Sequence, residues 1–170
     1  LLCNGLNFQV FPDNLLIFNP RDNHECVSTS RAPFLHYLGF NILKKRMEEI
    51  SMELTGESCL PQFKPTVFSD ESAGSTFLEL HQLIMQRSDE LRKEELFYIL
   101  FSRLFGNYAH TSLRSFPLRS TQIKKACEYL ESHASETIIL DDICQRVSVS
   151  KSSLIRSFSK QLGLTPHSYL

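Results

Sequence analysis

The spacing of apolar residues changes near residue 43, from a period of two to one of about 3.6. Before that point the chain reads as β. Segments Asn7–Phe11 and Leu15–Phe18 flank the turn Pro12-Asp13-Asn14, and His24–Val27 follows a second polar turn over 19–23. Phe34, His36, Leu38, Phe40 and Ile42 alternate along one face of a longer expected strand, 34–42. Four strands are too few to close a barrel.

After residue 43 the pattern is helical. Leu43, Met47, Ile50 and Leu54 make one stripe, with Lys44, Lys45, Arg46, Glu48 and Glu49 outside it. A loop over 55–75 carries Gly56, Pro61, Pro65 and Gly74. A second helix follows, marked by Phe77, Leu80, His81 and Ile84. A third, 91–108, has more aromatic surface than one stripe needs. Phe97, Phe101, Leu104 and Tyr108 suit either packing on the sheet or a homodimer seam. His110–Arg119 is polar, contains Pro117, and reads as an interdomain linker. The division this implies is 1–109, a linker over 110–119, and 120–170.

The last third holds the sharpest pattern. Leu140, Ile143, Cys144 and Val147 recur at i, i+3, i+4 and i+7, with Asp141 and Asp142 in the first turn where the helix dipole favours negative charge. Ser148-Val149 interrupts the period, and Val149 can plug the angle between two helices. Ser150 is a good N-cap, Leu154, Phe158 and Leu162 continue the apolar stripe, and Gly163 with Pro166 ends it. Two helices this short cannot bury their own core, so the helix over 121–133, with Ile123, Cys127 and Leu130 on one face, is expected to cover them.

With Leu154 and Phe158 inward, Lys151, Ser152, Ile155, Arg156 and Ser159 are expected to face out. That face suits a duplex. Arg156 can pair with guanine O6 and N7, Ile155 with a thymine methyl, and Ser152 and Ser153 with base edges or phosphates. Lys151 and Lys160 suit phosphates, and Ser150 counts with them among the DNA-binding residues. The expectation depends on this side of the helix being uncovered. The alternative is an ordinary helical hairpin with a solvated polar face.

The run Ile138-Ile-Leu-Asp-Asp-Ile-Cys144, then Ser150-x3-Leu154-x-Arg156-x-Phe158-x-Lys160, then Gly163-Leu-Thr-Pro166-x2-Tyr169, resembles the DNA-binding region of AraC/XylS-type transcription regulators. It covers about fifty residues, from Ser120 onward. The resemblance implies two helix-turn-helix units joined by a long helix, of which this chain carries the first. It places the recognition helix at Lys151–Leu162 and the base-reading positions at Ser152, Ile155 and Arg156. Three positions depart from the family pattern: Ile139 stands at the usual Ser/Thr cap, Cys144 at a common Ala, and Ser148 at a frequent turn Gly. The stretch Leu15-Leu-Ile-Phe-Asn-Pro20-x3-His24 is similar to the cupin-like sensor domain of the same family. Together these imply an α+β chain: a partial cupin-like β-sheet or barrel with packed helices, followed by an all-α helix-turn-helix subdomain. The chain is expected to be a fragment cut at both ends. Double-stranded DNA, a small-molecule effector near His24 and His36, a homodimer partner and contacts with RNA polymerase are the partners the resemblance implies.

Composition narrows the alternatives. The chain has 170 residues, 42% of them hydrophobic, and no apolar run near the 18 residues of a membrane span. Its start has neither a basic region nor a cleavage site typical of a signal peptide. Five scattered cysteines, with Cys127 and Cys144 on apolar helix faces, fit a reduced, cytoplasmic protein. The net charge of −1 divides unevenly, into −4 over residues 1–113 and +3 over 114–170. A basic part behind an acidic one suits a DNA reader attached to a sensor. No enzyme signature is present: no HExxH, no Cys-x-x-Cys, no G-x-S-x-G, no phosphate loop and no paired catalytic carboxylates. Ser157-x-x-Lys160 matches S-x-x-K by chance. No cofactor and no metal are expected. A protein-interaction module and, more distantly, a cupin-type metal enzyme are the competing readings.

Overall fold

Short strands and tight turns build the N-terminal part. The structure, a computed structural model, describes residues 1–27, 36–109, 111–114 and 117–170. Strands β1 (Leu2–Cys3), β2 (Leu6–Asn7) and β4 (His24–Glu25) form an antiparallel sheet in the order β2-β1-β4, with Cys3 opposite both Leu6 and His24. Asn4 and Gly5 take φ of 49° and 80°, the left-handed conformation that turns β1 into β2. The Asn4 side chain donates to Asp22 at 2.7 Å and ties that turn to the next. Strands β3 (Leu15–Leu16) and β5 (Val67–Phe68) pair separately, and β5 lies in the segment expected to be loop.

The α+β class is present, but the strands are shorter than the alternation suggested and no barrel closes among the described residues. The expected strand 34–42 is corrected in part. Residues 36–42 have no regular structure, and 34–35 lie outside the described residues. Alternation records which side of a segment is apolar. It does not supply the neighbouring strand whose N–H and C=O groups would complete a ladder.

Seven helices follow among the described residues: α1 (Lys44–Thr55), α2 (Glu71–Gln86), α3 (Glu90–Tyr108), α4 (Ser120–Ser132), α5 (Leu140–Val147), α6 (Lys151–Leu162) and α7 (Pro166–Tyr169). Asp70 and Asp89 cap α2 and α3 by accepting from Ala73 N and Arg92 N. Asp70 also accepts from Arg103 at 2.7 Å and from the Tyr108 hydroxyl at 2.9 Å. The Arg103 hydrogen bond, against the opposing effect of burial, holds the Asp70 carboxyl at a pKa of about 2.

One continuous apolar cluster joins Ile50 and Leu54 of α1, Phe101 and Phe105 of α3, Ile123 and Leu130 of α4, Ile143 of α5, and Leu154 and Phe158 of α6. A smaller cluster of Ala73, Leu80, Leu96 and Leu100 holds α2 on α3. The aromatic surplus of α3 is absorbed by these clusters. Phe101 is buried, and Phe97, Leu104 and Tyr108 are half-buried against the same core, with Phe97 and Phe101 ring centroids 4.6 Å apart. Phe97, Phe101, Leu104 and Tyr108 thus pack within the chain, the alternative named beside a homodimer seam: α3 has helices on several sides, so one stripe is not enough.

Segment 110–119 is docked in its described part. Leu118 is buried, its N–H donates to Ser157 Oγ at 3.1 Å, and its carbonyl accepts from Gln161. Arg114 N donates to the Leu54 carbonyl at 2.7 Å.

Phe158→Ala should cost about 3–5 kcal/mol, because a fully buried ring shared by several helices leaves a cavity; chemical denaturation will measure it. Asp70→Asn should cost about 1–3 kcal/mol at pH 7, through the lost charge on a cap and ion pair. The Asp70 pKa is depressed from 3.8 to about 2, so its stabilisation is present above the higher value and lost as pH falls through the lower. Urea titrations of both proteins should converge across that acid window.

Candidate functional site

The α5–α6 hairpin is built as its residue spacing demands. Leu140, Ile143, Cys144 and Val147 are all buried. Burial pushes the Cys144 thiol up to about 12, so it remains a neutral packing group. Helix α5 has no side-chain cap at Ile139. Instead Asp142 reaches back to the Ile139 N–H, and Glu94 of α3 accepts from the Leu140 N–H at 2.7 Å. Ser148 ends α5 at φ 55° and ψ 53°, the left-handed conformation for which glycine is the commoner solution. The half-buried Val149 packs on the core, and its N–H returns to the Cys144 carbonyl at 3.1 Å.

Ser150 caps α6 by accepting from Ser153 N. Leu154 and Phe158 are fully buried, and the Phe158 ring meets Tyr169 of α7 edge-on at 5.7 Å. Gly163, at φ 73°, closes α6, and Thr165 caps α7 with Pro166 at its start. Helix α4 covers the hairpin, and its Gln122 side chain donates to the Val147 carbonyl at 2.9 Å.

The outward face of α6 is not where the spacing placed it. Ser152 is 1% exposed, Ser153 4% and Ile155 4%; Ile155 belongs to the main apolar cluster. Lys151 is mostly covered. Its ammonium makes ion pairs with Glu94 at 2.6 Å and Asp141 at 2.8 Å, and lies 5.9 Å from the Tyr98 ring centroid. Burial works to lower the Lys151 pKa, but hydrogen bonds to Asp141 and Glu94 outweigh it and hold the ammonium charged. Arg156 is half-buried and donates to the Arg114 carbonyl, and burial lowers its pKa. Ser150 is half-buried within its cap, and Ser157 is buried under Leu118. Ser159 and Lys160 are exposed.

The expected exposure of Lys151, Ser152, Ile155 and Arg156 is thus corrected, and exposure is retained at Ser159. The cause is the packing of α1 and α3 on the same helix. Glu53 of α1 accepts from Ser152 N at 2.9 Å with one carboxylate oxygen and from the Tyr98 hydroxyl at 2.7 Å with the other. Glu94 divides its oxygens in the same way between Lys151 Nζ and Leu140 N. Fully buried Glu95 accepts from Arg92 at 2.8 Å and from His167 N of α7 at 2.9 Å. Three carboxylates from α1 and α3 therefore meet the starts of α5, α6 and α7, where free N–H groups and the positive end of each helix point. No residue-spacing signal singled out Glu53, Glu94 or Glu95, because each stands among charged neighbours in its helix.

Both candidate effector residues lie at the surface. His24 is exposed and stacks on the Phe18 ring at 3.8 Å, and His36 is exposed. Among the described residues no group of three or more His, Cys, Asp or Glu side chains could hold a metal ion, and no helix is long and apolar enough to cross a membrane.

Comparison with known proteins bears on the hairpin directly. Residues 130–170 match the family model described as bacterial regulatory helix-turn-helix proteins, AraC family. The chain is also similar to the uncharacterized HTH-type transcriptional regulator YbfI of Bacillus subtilis (strain 168), at 39% identity over 171 aligned positions. That alignment takes in all of this chain and 62% of the relative, so the chain spans about three fifths of the relative's length. No solved structure matches the chain. The segment that matches the AraC-family helix-turn-helix model thus contains α5, the Ser148 turn and the Ser150-capped α6.

Proposed function

We propose that the chain is part of a sequence-specific, DNA-binding transcription regulator, with α6 as the helix that enters the major groove. The observation that carries this reading is the AraC-family match at 130–170, laid over a hairpin whose turn and caps have helix-turn-helix geometry. The resemblance of the whole chain to a helix-turn-helix regulator supports it further.

In this reading Ser152, Ile155 and Arg156 read base edges, and Ser150, Lys151, Ser153, Ser159 and Lys160 position the helix on phosphates. Residues 1–109 form the sensing part, 110–119 connect it to the reader, and 120–170 are the first helix-turn-helix subdomain. A small-molecule effector, a second copy of the chain and RNA polymerase are the further partners of such a regulator. Because α6 is covered on its reading side, binding requires α1 and α3 to move off it. A population shift between a covered and an uncovered reader is the mechanism, with an effector or a second subunit favouring the open state.

The test is selection of bound sequences from a pool of random duplexes, followed by affinity measurement across a salt series. A DNA reader loses affinity steeply with salt through counterion release, whereas an apolar protein-binding surface barely responds. Arg156→Ala should weaken binding and relax the preference at one base pair by about 1–3 kcal/mol. Lys160→Ala should weaken binding to all sequences alike and reduce the salt slope by about 1. Unchanged affinity and preference in Arg156→Ala would remove α6 from the role of reader.

A further inference from the structure

We propose that Glu53 and Glu94 act as a carboxylate clamp that takes the place of DNA phosphates at the start of α6, so that the α1–α3 surface and duplex DNA compete for one face of that helix. The inference rests on the reading of α6 as the DNA-reading helix and adds what occupies its face when DNA does not.

The donors that the clamp engages are those a duplex would engage. Lysine ammonium groups and the free N–H groups of a helix start are recurrent phosphate partners. Here Lys151 Nζ lies 2.6 Å from Glu94, and the Ser152 N–H lies 2.9 Å from Glu53. Each carboxylate spends its second oxygen on holding itself in place: Glu94 on Leu140 N, and Glu53 on the Tyr98 hydroxyl. Tyr98 is buried, so Glu53 is anchored by a group that is itself fixed in the core. Burial, reinforced by the Glu53 charge, pushes the Tyr98 phenol well above its usual range, so the hydroxyl stays a donor.

The apolar part of the face is occupied as well. Ile155 is packed in the shared cluster and Ser152 is sealed beneath α1, while Ser159 and Lys160 alone among the proposed contacts are fully exposed. No arrangement of a duplex reaches Ser152 and Ile155 while α1 and α3 remain seated. The closed state is also fully satisfied: among the described residues no buried side-chain N or O atom lacks a hydrogen-bond partner. The clamp is therefore a complete alternative to DNA for these groups, and binding of one excludes the other.

The test uses the whole 170-residue chain, a labelled random-sequence duplex pool and fluorescence anisotropy at low salt. In the Glu53→Gln/Glu94→Gln variant, shape is kept and both charges are removed. DNA affinity should rise about tenfold or more, with Glu94→Gln alone giving a smaller gain in the same direction. A folded double variant that binds no tighter than the unaltered chain overturns the clamp and leaves the DNA reading standing. Absence of DNA binding by both proteins at low salt overturns the DNA reading and the clamp with it. If the double variant fails to fold, amide hydrogen exchange of the unaltered chain decides. On adding duplex, segments 50–55 and 94–98 should lose protection as α6 leaves them, and unchanged protection with DNA bound overturns the proposal.

Discussion

The arrangement of the C-terminal half depends on how the starts of three helices are satisfied. A helix leaves its first N–H groups without partners and carries partial positive charge there. In a small hairpin those ends normally find local side chains or water. Here α6 has its own cap in Ser150, but Leu140 N, Ser152 N and His167 N turn to Glu94, Glu53 and Glu95. Carboxylates brought from α1 and α3 thus do electrostatically what a weak local cap at Ile139 does not. Their reach fixes how the N-terminal helices sit on the hairpin.

Burial follows from that placement. With Glu53 and Glu94 seated, one core includes residues from Ile50 to Phe158, Leu118 among them. Leu118, hydrogen-bonded to Ser157 and Gln161, carries the connection across. The hairpin is too short to bury its own stripe, and the structure answers this twice: α4 packs on α5, and α1 with α3 pack on α6. The second cover turns a solvated face into an interior one. A charged lysine survives there because Glu94, Asp141 and the Tyr98 ring surround it.

The same contacts set the functional problem. A helix that reads DNA needs an open face, and a helix left with an apolar residue such as Ile155 on that face gains by closing it. On the reading proposed above, the hairpin has two competing partners of similar chemistry, carboxylate and phosphate. On that same reading the charge division along the chain, −4 over residues 1–113 and +3 over 114–170, suits both partners, DNA and the chain's own α1 and α3.

The local units of this protein were legible in residue order. The helices α1, α3, α4, α5 and α6, the Ser148 turn, the Ser150 cap and the Gly163 stop all follow from short-range spacing, because helix hydrogen bonds and caps join residues within four positions of each other. The family resemblance was legible for the same reason, since it rests on that local grammar. The strand bounds, the docking of the connecting segment and the cover over α6 were not. Each depends on partners distant in sequence: Leu15 on Phe68, Leu118 on Ser157, Ser152 on Glu53. A sequence pattern specifies which side of a helix is apolar and which is polar. It cannot specify which distant carboxylate will claim the polar side, because that is decided only when both helices are in place.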